Sequence, residues 1–112
     1  MQTGDIVIVN FPFSNLIEEK ARPAVVVTIT EDGYRDVLVC MISSVVPKTF
    51  SKYQLIVQPS KKNNLRAISI IKVSRIVTIE NNKVIAEIGK LDKEDLKQFK
   101  LTFKSLVDNN AE

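Results

Sequence analysis

The sequence predicts a mainly β domain: a small barrel of short strands with one C-terminal helix. β-Branched runs interrupted by Pro, Gly and Asn supply the strands, and helical spacing starts only after Gly89. A length of 112 residues sets the third limit. A chain of this size can bury about two-thirds of its extended surface in one core. The whole chain, 1–112, is therefore read as a single domain.

The first strand is expected at Asp5–Val9, where Ile6-Val7-Ile8-Val9 is β-branched throughout. Pro12 then withdraws a backbone donor and stops it. Phe13 to Ala21 mixes apolar and charged residues without a period and leads into Arg22-Pro23, which predicts a surface loop returning to the sheet. Ala24–Thr30 and Tyr34–Ile42 form two continuous strand-like runs around Asp32-Gly33. Glycine there can supply the positive φ of a tight hairpin turn.

Ser43 to Ser51 reads as a polar, basic loop, and Tyr53–Val57 as a short strand ended by Pro59. Ser60 to Asn64 is another loop. Ala67–Ile79 is long enough for one bent strand or two, and Asn81-Asn82 turns into Val84–Ile88. After Gly89, Leu96, Phe99, Phe103 and Leu106 recur at helical spacing, with Asp92 as N-cap and Asp95 three residues on. The opposite face carries Lys93, Lys97, Lys100 and Lys104, the composition of a solvated helix face.

Composition excludes several chemistries. The chain has no His and one Cys, so imidazole acid–base catalysis, a Ser-His-Asp triad, His-containing metal sites and thiolate clusters are all absent. No metal site and no cofactor are expected. Cys40, within Val37–Ile42, reads as a small buried hydrophobe in a protein of a reducing compartment. No basic-then-apolar leader and no apolar run of about eighteen residues appears, which predicts a cytoplasmic chain that contacts no membrane.

Sixteen Lys and Arg against thirteen Asp and Glu give a net charge of +3, a weakly basic surface able to meet phosphates. Without His, such charge falls to Arg and Lys, and Arg suits a site where a planar fork grips two oxygens. Arg22 stands out because Pro23 holds its backbone extended at a loop-to-strand junction. Its alternative role is an ion pair with Glu18 or Glu19. Ser43 and Ser44 end the second hairpin strand, where a hydroxyl either donates to phosphate or forms a turn. Lys48, Lys52, Lys61, Lys62 and Arg66 can line a backbone-binding groove, and Phe13, Phe50 and Tyr53 can stack bases, against the plainer roles of solvated charge and packing.

Three segments taken together carry a resemblance. Gly4-Asp5-Ile6-Val7-Ile8-Val9-Asn10-Phe11-Pro12-Phe13, Glu18-Glu19-Lys20-Ala21-Arg22-Pro23 and Cys40-Met41-Ile42-Ser43-Ser44 resemble the PemK/MazF family of toxin endoribonucleases. The tail, with Arg75-Ile76-Val77-Thr78-Ile79 and Ile88-Gly89-Lys90-Leu91 before the helix, is similar to that family's ending.

The resemblance implies an SH3-like barrel, a homodimer, and metal-independent, sequence-selective cleavage of single-stranded RNA through 2′-hydroxyl attack, with neutralisation by a cognate antitoxin. It makes Arg22 and Ser43 the expected catalytic residues. Phe13, Glu19, Lys20, Ser44, Lys48 and Arg75 are the expected RNA contacts. Members often place Gln where this chain has Val73, so the cleavage motif is not implied. The alternative on the same barrel is a non-catalytic binding module or degenerate toxin, such as a topoisomerase-directed inhibitor, since fold alone does not fix function.

Overall fold

A computed structural model describes residues 1–12 and 19–108, with Pro12 and Glu19 described by their backbone alone. Six strands form one antiparallel sheet: β1 (Asp5–Pro12), β2 (Glu19–Ile29), β3 (Val37–Ser43), β4 (Gln54–Val57), β5 (Ser69–Ile79) and β6 (Val84–Lys90). A single helix, α1 (Lys93–Asp108), follows. Strand order is β4-β5-β3-β2-β1-β6, so β4 and β6 are the two edges. Extents of 35 × 32 × 30 Å show that the sheet curls on itself rather than lying flat.

Both faces of the central strands are buried, which explains their near-continuous apolar runs. One face sets Ile6, Val25, Cys40, Ile42 and Val73 against Phe99 of α1, with Leu96 and Phe103 packed beside it. The other holds Val7, Val9, Ala24, Val26, Val37, Val39 and Ile79. The helical stripe is as expected, with Phe99 buried and the four lysines exposed. The Asp92 carbonyl accepts from the Leu96 N–H at 2.8 Å, closing the first turn.

Two expectations change. Thr30 to Asp36 forms a wider connection than a tight hairpin, and Gly33 has no positive φ, whereas Arg35 has φ 54°. Side chains shape this loop instead: Thr30 Oγ1 bonds Asp32 Oδ1 at 2.8 Å and accepts from the Asp36 N–H at 2.9 Å. The Asp32 carboxyl is held below its ordinary pKa, first by the Thr30 hydroxyl and then by the Tyr34 N–H. Second, the loop before Arg22 ends earlier than expected. Arg22 sits within β2, opposite Val9 of β1.

Ala67–Ile79 resolves as one bent strand starting at Ser69. Cys40 pairs with Ile76 but Ile42 with Ile71, so β5 accommodates extra residues between the two pairs and bends there. Its first half, Ser69–Lys72, pairs with β4.

The edges β4 and β6 are joined by a loop rather than by a ladder. The Lys62 carbonyl accepts from the Lys90 N–H at 3.0 Å. Asn64 Nδ2 donates to the Ile88 carbonyl at 2.5 Å, from a backbone at φ 56°. The approach is so close that a Cβ on Gly89 would meet the Lys62 oxygen at 2.6 Å and the Asn63 oxygen at 2.7 Å. At the N-terminus, Gly4 has φ 93° and a Cβ there would reach Leu96 Cδ1 at 2.6 Å.

Candidate functional site

A cleft of about 1090 Å³ opens where the β2–β3 ladder ends, and it runs to the seam just described. That ladder stops at Ala24↔Met41. The next residue of β2 is Pro23, which has no N–H to extend it. Continuing the same register sets Arg22 opposite Ser43, and both residues line the cleft. Ser43 is held from its other side, where β5 pairs it with Ile70. Pro23 thus does more than extend its neighbour's backbone: it lies where the paired strands give way to a groove.

Ser43 is half-buried, and its Oγ accepts from the Val45 N–H at 3.1 Å. The hydroxyl therefore forms a local turn and keeps its own proton available to donate. Ser44, exposed, follows it on the same wall. Of the two roles open to these serines, Ser43 takes that of turn former, with its hydroxyl still on the cleft wall.

The far wall is the loop Asn64–Ala67. It is built on Asn63, which is fully buried. Asn63 Oδ1 accepts from the Ser60 and Leu65 N–H groups, each at 2.9 Å, and Nδ2 donates to the Gln58 carbonyl at 2.8 Å. Ser60 Oγ accepts from the Asn63 N–H at 3.0 Å. One side chain thus satisfies backbone groups on both sides of itself, fixing the loop that bears Arg66.

The lining is apolar at Ile8, Phe11, Pro23, Met41, Leu65 and Ile88, with two cations, Arg22 and Arg66. It includes no Asp or Glu among the described residues. Such a surface suits an anion carrying a flat apolar part. No group of three or more His, Cys, Asp or Glu able to hold a metal ion occurs among the described residues.

The other expected site residues are dispersed. Lys20, Lys48 and Arg75 are exposed and lie outside the cleft lining. Phe13 lies outside the described residues, and of Glu19 only the backbone is described, at the start of β2. Val73, the position at which the expected family pattern is broken, lies on β5 with its side chain buried in the core. Lys52 Nζ stands 5.1 Å from the ring centre of Tyr53, so these two groove candidates face each other. The sequence reading did not single out Phe11 or Asn64 for the site. Their one local signal is the Asn63-Asn64 pair, because Asn tolerates the left-handed conformation found at Asn64.

Fold and site together define a small curled-sheet protein with a cation-bearing cleft at a strand end. The chain belongs to the family of PemK-like, MazF-like toxins of type II toxin–antitoxin systems, which matches residues 2–107. Curated proteins give no match.

Solved structures share the fold. An endoribonuclease in complex with its cognate antitoxin, from a mycobacterial species, superposes with a TM-score of 0.71 at 9% identity, covering 100% of this chain and 99% of that one. The Mycobacterium tuberculosis toxin MazF-mt6 gives 0.63 at 20% identity, with 91% and 96% covered. MazF from Deinococcus radiodurans gives 0.69 at 16%, covering 96% of each. No helix among the described residues is long and apolar enough to cross a membrane.

Proposed function

We propose that this protein is a toxin that cleaves single-stranded RNA, without a metal ion, at the cleft between Arg22 and Ser43. The observation that carries the reading is the meeting of those two residues on one cleft whose described lining has cations and hydroxyls but no carboxylate. Family membership and the endoribonuclease neighbour support it.

In the proposed reaction the ribose 2′-oxygen attacks phosphorus in line with the departing 5′-oxygen. The O2′–P bond forms as the P–O5′ bond breaks. The 2′-hydroxyl proton passes to solvent, and the 5′-oxygen takes a proton from solvent as it leaves. Arg22 faces the charge that accumulates on the non-bridging oxygens, where a guanidinium fork gives two directed donors. Ser43, its oxygen fixed by the Val45 N–H, donates to the same phosphate and orients it. The products are a 2′,3′-cyclic phosphate and a 5′-hydroxyl.

Lys20, Ser44, Lys48 and Arg75, with Phe13 and Glu19, are proposed to contact flanking nucleotides. Exposure of the first four supports that assignment. We further propose that the toxin acts in the cytoplasm as a homodimer and that an antitoxin neutralises it. Exposed apolar side chains at Val45, Val46, Phe50, Ile56 and Ile68 are compatible with such associations.

The test incubates purified protein and its folded Arg22→Ala variant with a long single-stranded RNA in EDTA, then maps cut positions and ends. Discrete cuts with cyclic phosphate ends, lost in the variant, are expected. Intact RNA across several diverse substrates would overturn the reading in favour of a binding module.

A further inference from the structure

Charge is distributed unevenly along this fold. Between Val37 and Ile79 there are seven Lys and Arg residues and no Asp or Glu, so the remainder of the chain is net acidic although the whole is +3. That segment is β3, β4, β5 and their loops, and the three strands are adjacent in the sheet. One half of the molecule is therefore uniformly basic, a field that draws a polyanion to one side.

Within that half, one cation enters the cleft. Of the five groove candidates, Lys48, Lys52, Lys61 and Lys62 do not line it, whereas Arg66 does. Arg66 is exposed and makes no hydrogen bond or ion pair among the described residues. Its backbone is nonetheless well fixed. Asn63 pins the loop from within, and Asn64 ties it to Ile88. A guanidinium with no partner among the described residues, carried on a preorganised loop, is suited to bind an anion.

The cleft's size bears on which anion. At about 1090 Å³ it lies just above the roughly 300–1,000 Å³ range of pockets that enclose a whole drug-sized ligand. Arg22 and Arg66 stand on different walls of it, one on β2 and one on the β4–β5 loop. We propose that Arg66 grips a second phosphate of the RNA strand, adjacent to the one held by Arg22, and so fixes the strand's direction through the cleft toward the basic half. This rests on the proposed function and adds a substrate-binding residue that acts on affinity rather than on the bond-breaking step.

The experiment separates binding from cleavage. Affinity for a fully 2′-O-methylated single-stranded RNA, which has no 2′-hydroxyl to attack, is measured at several salt concentrations for wild type, Arg66→Ala and Arg66→Lys. Cleavage of a short RNA carrying the mapped motif gives kcat and KM for each, and thermal melts check folding. For Arg66→Ala we expect about tenfold weaker binding, a log–log salt slope shallower by about 0.7, and a KM rise larger than any fall in kcat. Arg66→Lys should recover the slope, since it restores the charge.

Unchanged affinity and slope in Arg66→Ala, or a loss confined to kcat, would overturn the proposal while wild-type cleavage left the nuclease reading standing. Wild-type binding that depends on Arg66 without any cleavage would support the anchor and overturn the nuclease. A wild-type protein that binds no RNA overturns both.

Discussion

Gly89 lies directly beneath the backbone of Asn63, close enough that a methyl group on Gly89 would sit 2.7 Å from the Asn63 carbonyl oxygen. This approach ties β6 to the loop after β4, although the two edge strands do not pair, and it places the Asn64–Ala67 wall of the cleft. The glycine of the Ile-Gly-Lys-Leu motif thus has a steric reason, and its effect reaches the site through one loop.

Gly89→Ala should therefore be costly. The contacts it would strike are backbone atoms of Lys62 and Asn63, and the Lys62 oxygen is held by the Lys90 N–H, so the loop must shift, at about 1–3 kcal/mol by analogy with overpacked cores. Gly33→Ala makes the contrast, having open space around it and no positive φ. It should be neutral or stabilising by a few tenths of a kcal/mol, through a less flexible unfolded chain. Denaturant titration of both variants checks the pair; equal losses would contradict the structure.

Removing the loop's inner support should act on both stability and function. Asn63→Ala leaves the Ser60 and Leu65 N–H groups and the Gln58 carbonyl, all part-buried or exposed, without their partner, at a cost of about 1–3 kcal/mol for each that water cannot reach. Denaturant midpoint and RNA affinity should fall together. A stable variant with wild-type affinity would show that the loop is not fixed by this side chain.

The two serines should separate by kinetics. Ser43→Ala removes the donor proposed for the scissile phosphate and is expected to lower kcat about 10²-fold, the scale of losing one transition-state donor. Ser44→Ala, on the outer part of the wall, should change kcat less than threefold, a span set by the roughly 0.5 kcal/mol of an ordinary surface change. Single-turnover cleavage of the same RNA distinguishes them, and the reverse order would move the catalytic hydroxyl to Ser44.

Cys40 gives a pH signature. Burial raises its thiol to a pKa of about 11 from 9.0, and its Sγ–H donates to the Val73 carbonyl at 3.6 Å. Between those values the unfolded chain has lost a proton that the native chain keeps. Stability contributed by the neutral thiol is present below pH 9 and is lost as pH rises toward 11. Cys40→Ala should flatten that slope, whatever its effect on absolute stability, in denaturation curves from pH 8 to 11. Thiol-reactive reagents at pH 8 should label the native protein only at the rate of its unfolding.

Strand identity, the helix and its buried face were legible in the sequence because each depends on local periodicity. The apolar stripe Leu96, Phe99, Phe103 follows from helical spacing alone, and Val37–Ile42 from β-branching. Arg22-Pro23 was visible as a fixed backbone, and Ser43 as a strand end. The turn at Gly33 was misread because composition permits a tight hairpin, whereas Thr30 and Asp32 hydrogen-bond the loop into a wider form.

Taken by itself, the sequence determined the element types, the absence of imidazole chemistry and the likeness to one toxin family, since these follow from residue type and near-neighbour spacing. Only the tertiary structure decided that Arg22 and Ser43 line one cleft at the end of a ladder. It alone brought Asn63 to Gly89 and Arg66 to the cleft, and placed Val73 in the core. Those relationships join residues far apart in the chain, and a pattern of local preferences carries no record of which distant backbones the packed sheet brings within a few ångströms.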